Sequence, residues 1–419
     1  MKQLGFCFVS IWLFLIVLSM HANGQEYQTF RWDLEQMSEN ARWRLGPFLI
    51  YPSFQLRNIG YDNNIYGMSE ENDPVADFTA AISPQATFYL PYRNLMILSF
   101  SINPEYVYYK NESHLRGFNL NYSPEFRIVL LDRFVASSSY QYQRARQRRT
   151  SEFDRLVYVE SRTLNASLFL ETSRMTTVGF TGRIRNSSFE DIEGEISYST
   201  ALNREERSGN FEFYYRVLSD SDFFLTVGYA EYEFESPESR WRNSYSYDVI
   251  SGIRFPLSGW ARGTLSLGYR SLVNREDEDN RFSGFIGDTG LDFRLGRFNL
   301  RVLFVRDFRF SYSSTNLYFT EDRFGSGISF YLTPSIRMDY DFSIGEGKYP
   351  EEEQIRLPDG GFEEIRRVDK YLSHSAGLVF RIMRNTGVGL TVTYWKRDSN
   401  IYDFRRSRAF IGGFLTYDF

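Results

Sequence analysis

The sequence predicts an all-β protein, a single transmembrane antiparallel up-and-down β-barrel of about 18 strands, with about 16 as the alternative count. Its expected ends are short periplasmic turns and longer extracellular loops. Three observations carry this: a two-residue polar/apolar alternation, an aromatic-rich yet polar composition, and connections that alternate long and short. The alternation is clearest over residues 117–128. There Asn119, Asn121, Ser123, Glu125 and Arg127 share one parity, and Phe118, Leu120, Tyr122, Phe126 and Ile128 share the other. A β-strand turns successive side chains to opposite faces, so one face of this segment is wet and the other apolar. The same split recurs over segments longer than the usual globular strand of about five or six residues. Lipid around a closed barrel explains that length better than a soluble core.

Composition agrees. The 30 tyrosines and 39 phenylalanines set an aromatic content of 18%, while 24% of residues are charged. With a mean hydropathy of -0.40 the chain is too polar for a bundle of membrane helices. Beyond the N-terminus it has no apolar run of about 18 residues. Barrel strands tolerate this, because half of each is polar and aromatic girdles mark both interfaces. A net charge of -5 gives no basis for nucleic-acid binding. Lysine occurs only at Lys2, Lys110, Lys348, Lys370 and Lys396, so the basic residues are nearly all arginine. Arginine's planar fork pairs with carboxylates and phosphates, which suits ion-paired lumen ladders and lipopolysaccharide contacts.

In chain order, Met1 and Lys2 precede an apolar run from Leu4 to Met20, and Ala22-Asn23-Gly24 offers the small residues of a cleavage site. Residues 1–24 therefore read as a secretory signal peptide. The only cysteine, Cys7, lies within it, so no lipoprotein anchor and no disulfide is expected. Residues 25–45 read as a short periplasmic segment. Arg31 to Met37 and Ala41-Arg42-Trp43 suit either a short amphipathic helix or arm, or a disordered tail. The barrel is expected over 46–419.

Tight turns are expected at Pro91-Tyr92-Arg93, Leu131-Asp132, Glu171-Thr172-Ser173, Ser219-Asp220-Ser221, Leu257-Ser258-Gly259, Leu295-Gly296, Thr333-Pro334 and Arg384-Asn385. Between them lie longer polar connections near 62–77, 110–113, 148–154, 191–203, 236–242, 274–280, 311–315, 349–364 and 397–403. The strict interleaving gives the strand count, with strands of about 13 to 17 residues that overshoot the ~9–11 needed to cross. The count is open to a change of about two strands, chiefly through the assignment of the segment between Asp191 and Arg207.

The parity rule extends to other strands. Thr181, Arg183, Arg185 and Ser187 oppose Val178, Phe180 and Ile184, and Thr264, Ser266, Gly268 and Arg270 oppose Leu265, Leu267 and Tyr269. Arg301, Asp307 and Arg309 oppose Leu300, Val302, Phe304 and Phe308. Arg306 falls on the apolar parity. An arginine facing mid-bilayer lipid costs about 2–4 kcal/mol, so it belongs near or beyond an interface. The lumen candidates by parity are Glu125, Arg127, Arg183, Arg185, Glu212, Arg216, Arg270, Arg301, Asp307, Arg309 and Arg381. Most of them are as readily salt bridges bracing the wall as selectivity residues.

Two stretches carry a family resemblance. Trp43-Arg44-Leu45-Gly46-Pro47-Phe48, Tyr51-Pro52-Ser53 and Tyr61-Asp62-Asn63-Asn64-Ile65-Tyr66 resemble the opening strand and loop of a porin-like family of Gram-negative outer-membrane β-barrels. Membership implies an outer-membrane barrel and gives no catalytic residues to carry over. At the other end Ala409, Ile411, Gly413, Leu415, Tyr417 and Phe419 share one parity. The terminal Leu415, Tyr417 and Phe419 resemble the signal read by the barrel-assembly machinery, which with periplasmic chaperones is the expected folding partner.

Chemistry beyond transport finds little support. His374 is flanked by Ser373 and Ser375, which a strand places on the opposite face, against a nucleophile–base pair. No phosphate-cradling glycine loop, metal-ligand cluster or cofactor motif is present. Calcium binding by Asp62, Asn64, Glu70, Glu71 and Asp73 lacks the ordered oxygen spacing of a known loop. Glu351 to Glu353 and Glu276 to Asp279 read as solvated charge runs. The expected function is passive diffusion of small polar solutes through a water-filled lumen, unless a loop folds in. The alternatives are an exopolysaccharide export conduit and a closed structural or adhesion barrel.

Overall fold

Alternating faces and tight turns build a closed wall in the computed structural model, which describes residues 41–419 apart from 70–72, 94, 132, 149–155, 192–200, 219–220, 259 and 357–360. The strands, in chain order, are β1 (Trp43–Leu45), β2 (Phe48–Asp62), β3 (Asp77–Tyr92), β4 (Met96–Tyr109), β5 (Gly117–Leu130), β6 (Phe134–Arg148) and β7 (Leu156–Glu171). They continue as β8 (Thr176–Asp191), β9 (Arg204–Leu218), β10 (Ser221–Phe234), β11 (Ser244–Ser258), β12 (Ala261–Asn274), β13 (Arg281–Leu295) and β14 (Phe298–Phe310). The last are β15 (Tyr318–Thr333), β16 (Ile336–Arg356), β17 (Phe362–Met383), β18 (Thr386–Ser399) and β19 (Arg406–Asp418). Each of β2 to β19 pairs antiparallel with its sequence neighbours, and β19 pairs back onto β2 through Ile411↔Tyr61 and Thr416↔Gln55. The result is an 18-stranded up-and-down barrel plus one extra strand.

The extra strand, β1, pairs with β2 through Trp43↔Ile50 and Leu45↔Phe48. Its two-residue loop puts Gly46 at φ 59°, a left-handed position that glycine fills without strain, followed by Pro47. Trp43 thus lies in a strand. Arg31 to Met37, the other part of the expected helix or arm, lies outside the described residues. At one end of the barrel neighbouring strands join through tight turns such as Gly296-Arg297, Pro334-Ser335 and Arg384-Asn385. At the other end longer connections carry three short 3-10 turns, at Ser113–Leu115, Pro237–Arg242 and Tyr402–Phe404. The ladder from β8 to β9 runs without slippage from Thr176↔Tyr215 to Ser187↔Arg204, while residues 192–200, most of the segment between Asp191 and Arg207, lie outside the described residues.

One expectation about length fails. The polar 349–364 segment is mostly strand, because β16 runs to Arg356 and β17 starts at Phe362. After a register shift between Lys348 and Glu352, the pairs Glu352↔Arg366 and Gln354↔Glu364 continue the ladder. Charged side chains do not stop a strand whose two faces are both in water. β16 and β17 therefore exceed the expected length.

The outer surface carries the apolar parity. Phe118, Phe180, Leu267, Phe285, Leu390 and Ile411 are all exposed, Phe118 to 71%. In a water-soluble monomer so large an apolar surface would be a liability; here it is the lipid face. Aromatic pairs such as Tyr229–Tyr247 (5.0 Å) toward the long-loop end and Phe298–Phe330 (4.6 Å) at the short-turn end supply the girdles. Beyond the long-loop girdle the same parity turns charged, with the ion pairs Glu160–Arg162, Glu205–Arg207, Glu346–Lys348 and Arg306–Asp322. Arg306 therefore sits at an interface and not in mid-bilayer.

Candidate functional site: the barrel interior

Contacts between strands that are not neighbours identify the inside. Arg57 of β2 reaches over β3 to Glu105 of β4, and Arg270 of β12 reaches over β13 to Asp307 of β14. The polar parity lines this space. On β2 to β8 it forms a lattice of Ser83–Asn103 (2.6 Å), Thr87–Ser101 (3.1 Å), Asn119–Glu105 (2.7 Å), Ser137–Ser167 (2.6 Å) and Asn165–Ser139 (3.2 Å).

The candidate residues fall into distinct settings. Glu125 and Arg127 pair with each other on β5 at 3.0 Å. Arg183 donates to Asn165 at 2.9 Å and Arg185 to Ser161 at 3.2 Å. Glu212, buried, accepts from Tyr214 (2.6 Å) and Thr181 (2.8 Å). Arg216 stands 3.9 Å from Asp222, which also holds Arg254 at 2.9 Å. Arg270 bridges Asp307 (2.7 Å) and Asp248 (3.2 Å), and Asp292 is shared by Arg301 and Arg262, each at 3.1 Å. Arg309 binds Glu321. Arg381 is exposed three residues before the turn at Arg384-Asn385, and its backbone N–H donates to the Ser335 carbonyl. Most of these residues brace the wall as pairs.

Sequence parity missed the main internal feature. β14 pairs with β13 only as far as Gly287↔Arg306, whereas its ladder with β15 continues to Phe310↔Tyr318. Released on one side, the tip of the β14–β15 hairpin turns into the barrel. Phe308 was expected on the lipid face with Leu300, Val302 and Phe304. Instead it is buried against Phe282 (5.6 Å) and Tyr232 of β10 (6.4 Å), while Phe310 packs on Tyr232 (4.8 Å) and Phe234 (5.3 Å). Three strands separate β10 from β14, so these rings meet across the interior. Asp307 and Arg309, expected on the wall, belong to the same inward-turned tip.

The tip seeds an internal apolar core. Phe169, Tyr214, Phe224, Ile250, Leu272, Phe282, Ile286, Leu317 and Tyr318 join Phe308, and a second cluster of Val157, Val159, Phe189, Leu202 and Phe234 meets Phe310 and Tyr312. Large apolar residues on the inward parity of β7 to β13 were the available signal, since a fully wet lumen has no use for them. Hydrogen bonds hold the tip at both flanks. Buried Arg242 donates to the carbonyls of Ser311, Tyr312 and Ser313, and Asn316 exchanges bonds with Glu351 and donates to Glu353.

Other singled-out residues are accounted for structurally. The Asp62 carboxylate is held by Arg408, and Asn64 is bonded to Met68 and Ser407. Glu70 and Glu71 lie outside the described residues. His374 pairs with the Tyr340 hydroxyl at 2.8 Å and packs on Phe342, whereas Ser375 on the opposite face meets Thr393 at 3.2 Å.

A closed barrel, apolar outside and ion-paired inside, is the architecture of bacterial outer-membrane barrels. The chain belongs to the family described as "Putative beta-barrel porin 2", which matches residues 39–413. The short turns are accordingly periplasmic and the long connections extracellular. Among solved structures, OccAB2 of Acinetobacter baumannii is similar at 9% identity and a TM-score of 0.48, over 88% of this chain and 98% of that one. OccK3 (OpdO) of Pseudomonas aeruginosa is similar at 10% identity and a TM-score of 0.47, over 92% and 97%. The siderophore receptor PirA of A. baumannii follows at 8% identity and a TM-score of 0.44, over 88% and 80%. No curated protein matches the sequence.

Proposed function

We propose that the mature protein, freed of residues 1–24, is a passive outer-membrane channel for small polar solutes. Leu415, Tyr417 and Phe419 would serve as its assembly signal for the barrel-assembly machinery and its chaperones. The observation that carries this reading is the hydroxyl, amide and ion-paired lattice of β3 to β7, which is interrupted by the inward apolar clusters at Ile97, Val129 and Val135 and at Val157, Val159 and Phe169 but continues between them. A barrel of 16 to 18 strands is wide enough for water, and one partly filled by a hairpin tip keeps a narrower path. Transport along it involves no covalent step, and charged wall residues set selectivity.

A second reading has its own support. The tethered tip and its core suit a closed or gated barrel, including a polymer exporter that opens only with a partner. Single-channel recording of the purified mature protein in a planar bilayer separates the two. Stable conductance steps are expected, and silence from protein shown to be folded by heat-shifted gel mobility would sink the open-channel reading.

A further inference from the structure

Among the described side chains, the inner wall of β8 and β9 carries Arg183, Arg185, Arg204 and Arg216 against the carboxylates Glu206 and Glu212. Arg185 stands across the ladder from Glu206, with Arg183 two residues along β8 and Arg204 two residues along β9, so three arginines flank this one carboxylate. Arg204 takes it directly at 2.7 Å and is itself covered by the rings of Phe234 and Phe310. Arg185 is left with a neutral partner, the Ser161 hydroxyl, and no carboxylate lies within ion-pair distance of it among the described residues. The next carboxylate down this wall, Glu212, is already occupied by Tyr214 and Thr181.

A second observation points to the same place. The Ser187 hydroxyl is buried, lies directly across the ladder from Ser161, and has no hydrogen-bond partner among the described residues. A buried hydroxyl left unmet is costly, and one on the same strand face as a largely buried guanidinium is placed to meet an oxygen-bearing guest. Arginine's fork favours carboxylate and phosphate oxygens in two-point geometry.

We infer that Arg185, with Arg183 and the Ser161–Ser187 hydroxyls, forms a subsite for small oxyanions, carboxylate or phosphate, on the wall beneath the inward-turned tip. The inference rests on the channel reading for its role in transport, but not for binding itself. Two measurements keep these apart. In detergent, the folded protein should broaden the phosphorus NMR line of inorganic phosphate, and Arg185→Gln should abolish most of that broadening. Equal broadening with Arg185→Gln and with Arg183→Gln/Arg185→Gln, or none with the unmodified protein, overturns the subsite. Each variant is first checked for folding by heat-shifted mobility, and Arg185→Lys, which keeps the charge, should retain binding in part.

In a planar bilayer under a salt gradient, the reversal potential should carry the sign of anion preference and shift toward cations with Arg185→Glu. Conductance with a reversal potential that Arg185→Glu leaves unchanged overturns the subsite's role in transport and spares the channel. Silence together with Arg185-dependent phosphate broadening overturns the channel and spares the subsite.

Discussion

Trp43 and Phe419 meet edge to face, with ring centroids 5.9 Å apart and planes at 65°. Trp43 lies in β1, which pairs with the first residues of β2, and Phe419 follows β19, which pairs with the remainder of the same edge. β1 therefore covers the part of β2 that β19 leaves free, and the Phe419 N–H closes on the Pro52 carbonyl at 3.2 Å. In a membrane every backbone polar group needs a partner, so this completion of the seam matters. Trp43→Ala and Phe419→Ala should each lower the temperature of the heat-modifiable gel shift. Together they should be less than additive, with a coupling of about 0.5–1.5 kcal/mol for an aromatic pair. Full additivity would show that the two rings do not cooperate.

The extracellular end of the same seam is held by a buried ion pair. Asp62 of β2 is fully buried and receives Arg408 of β19 in two-point contact, with Nε on Oδ1 at 2.7 Å. Removing one member of such a pair strands the other, at a cost of about 3–5 kcal/mol. Asp62→Ala should therefore lower the unfolding midpoint in urea sharply, while Asp62→Leu with Arg408→Met should recover most of the loss. A mild effect of Asp62→Ala would mean that water reaches Arg408 freely.

Parity made the wall legible in the sequence, because a two-residue period has only two phases and the lipid face admits almost no polar side chains. Turn positions came instead from the interleaving of short and long polar connections. Phe308 was misread for a physical reason. Parity assigns faces only while a strand is paired on both sides, and β14 loses β13 after Arg306. A phenylalanine facing lipid and one facing an internal core look the same in sequence. The 349–364 hairpin was misread for the opposite reason, since charges such as Glu352 and Arg366 pair across a ladder that stands in water. Arg185 was visible as an inward residue, but that its partner would be a serine was not.

The outer boundary of the lipid band can be tested at two outward positions two residues apart. Arg306 pairs with Asp322 at 3.0 Å and is half exposed, so Arg306→Leu should change stability by no more than ~1 kcal/mol. Phe304 lies one outward step toward the periplasm and faces Phe324 across the ladder. Phe304→Arg should cost about 2–4 kcal/mol if it stands in hydrocarbon. Equal and small effects in lipid-bilayer unfolding would move the band's upper edge below Phe304.

Arg242 ties three consecutive carbonyls of the inward tip to the wall. Arg242 is buried, stacks on Trp241 at 4.5 Å, and serves the carbonyls of Ser311, Tyr312 and Ser313 from one guanidinium. Lysine presents a compact point charge in place of a planar fork, so Arg242→Lys should fail to hold all three carbonyls. With Arg242→Ala those carbonyls lose their donor, at about 1–3 kcal/mol for each that stays buried. The tip can relieve that penalty only by moving toward water, which unpacks Phe308 and Phe310 from Tyr232. Arg242→Ala should thus raise the unit conductance and add flicker, with Asn316→Ala doing the same more weakly through loss of the Glu351 and Glu353 bonds. Protease cleavage within 311–317 should rise in parallel. Accelerated cleavage at unchanged conductance would show that the tip moves but does not define the narrowest part of the path.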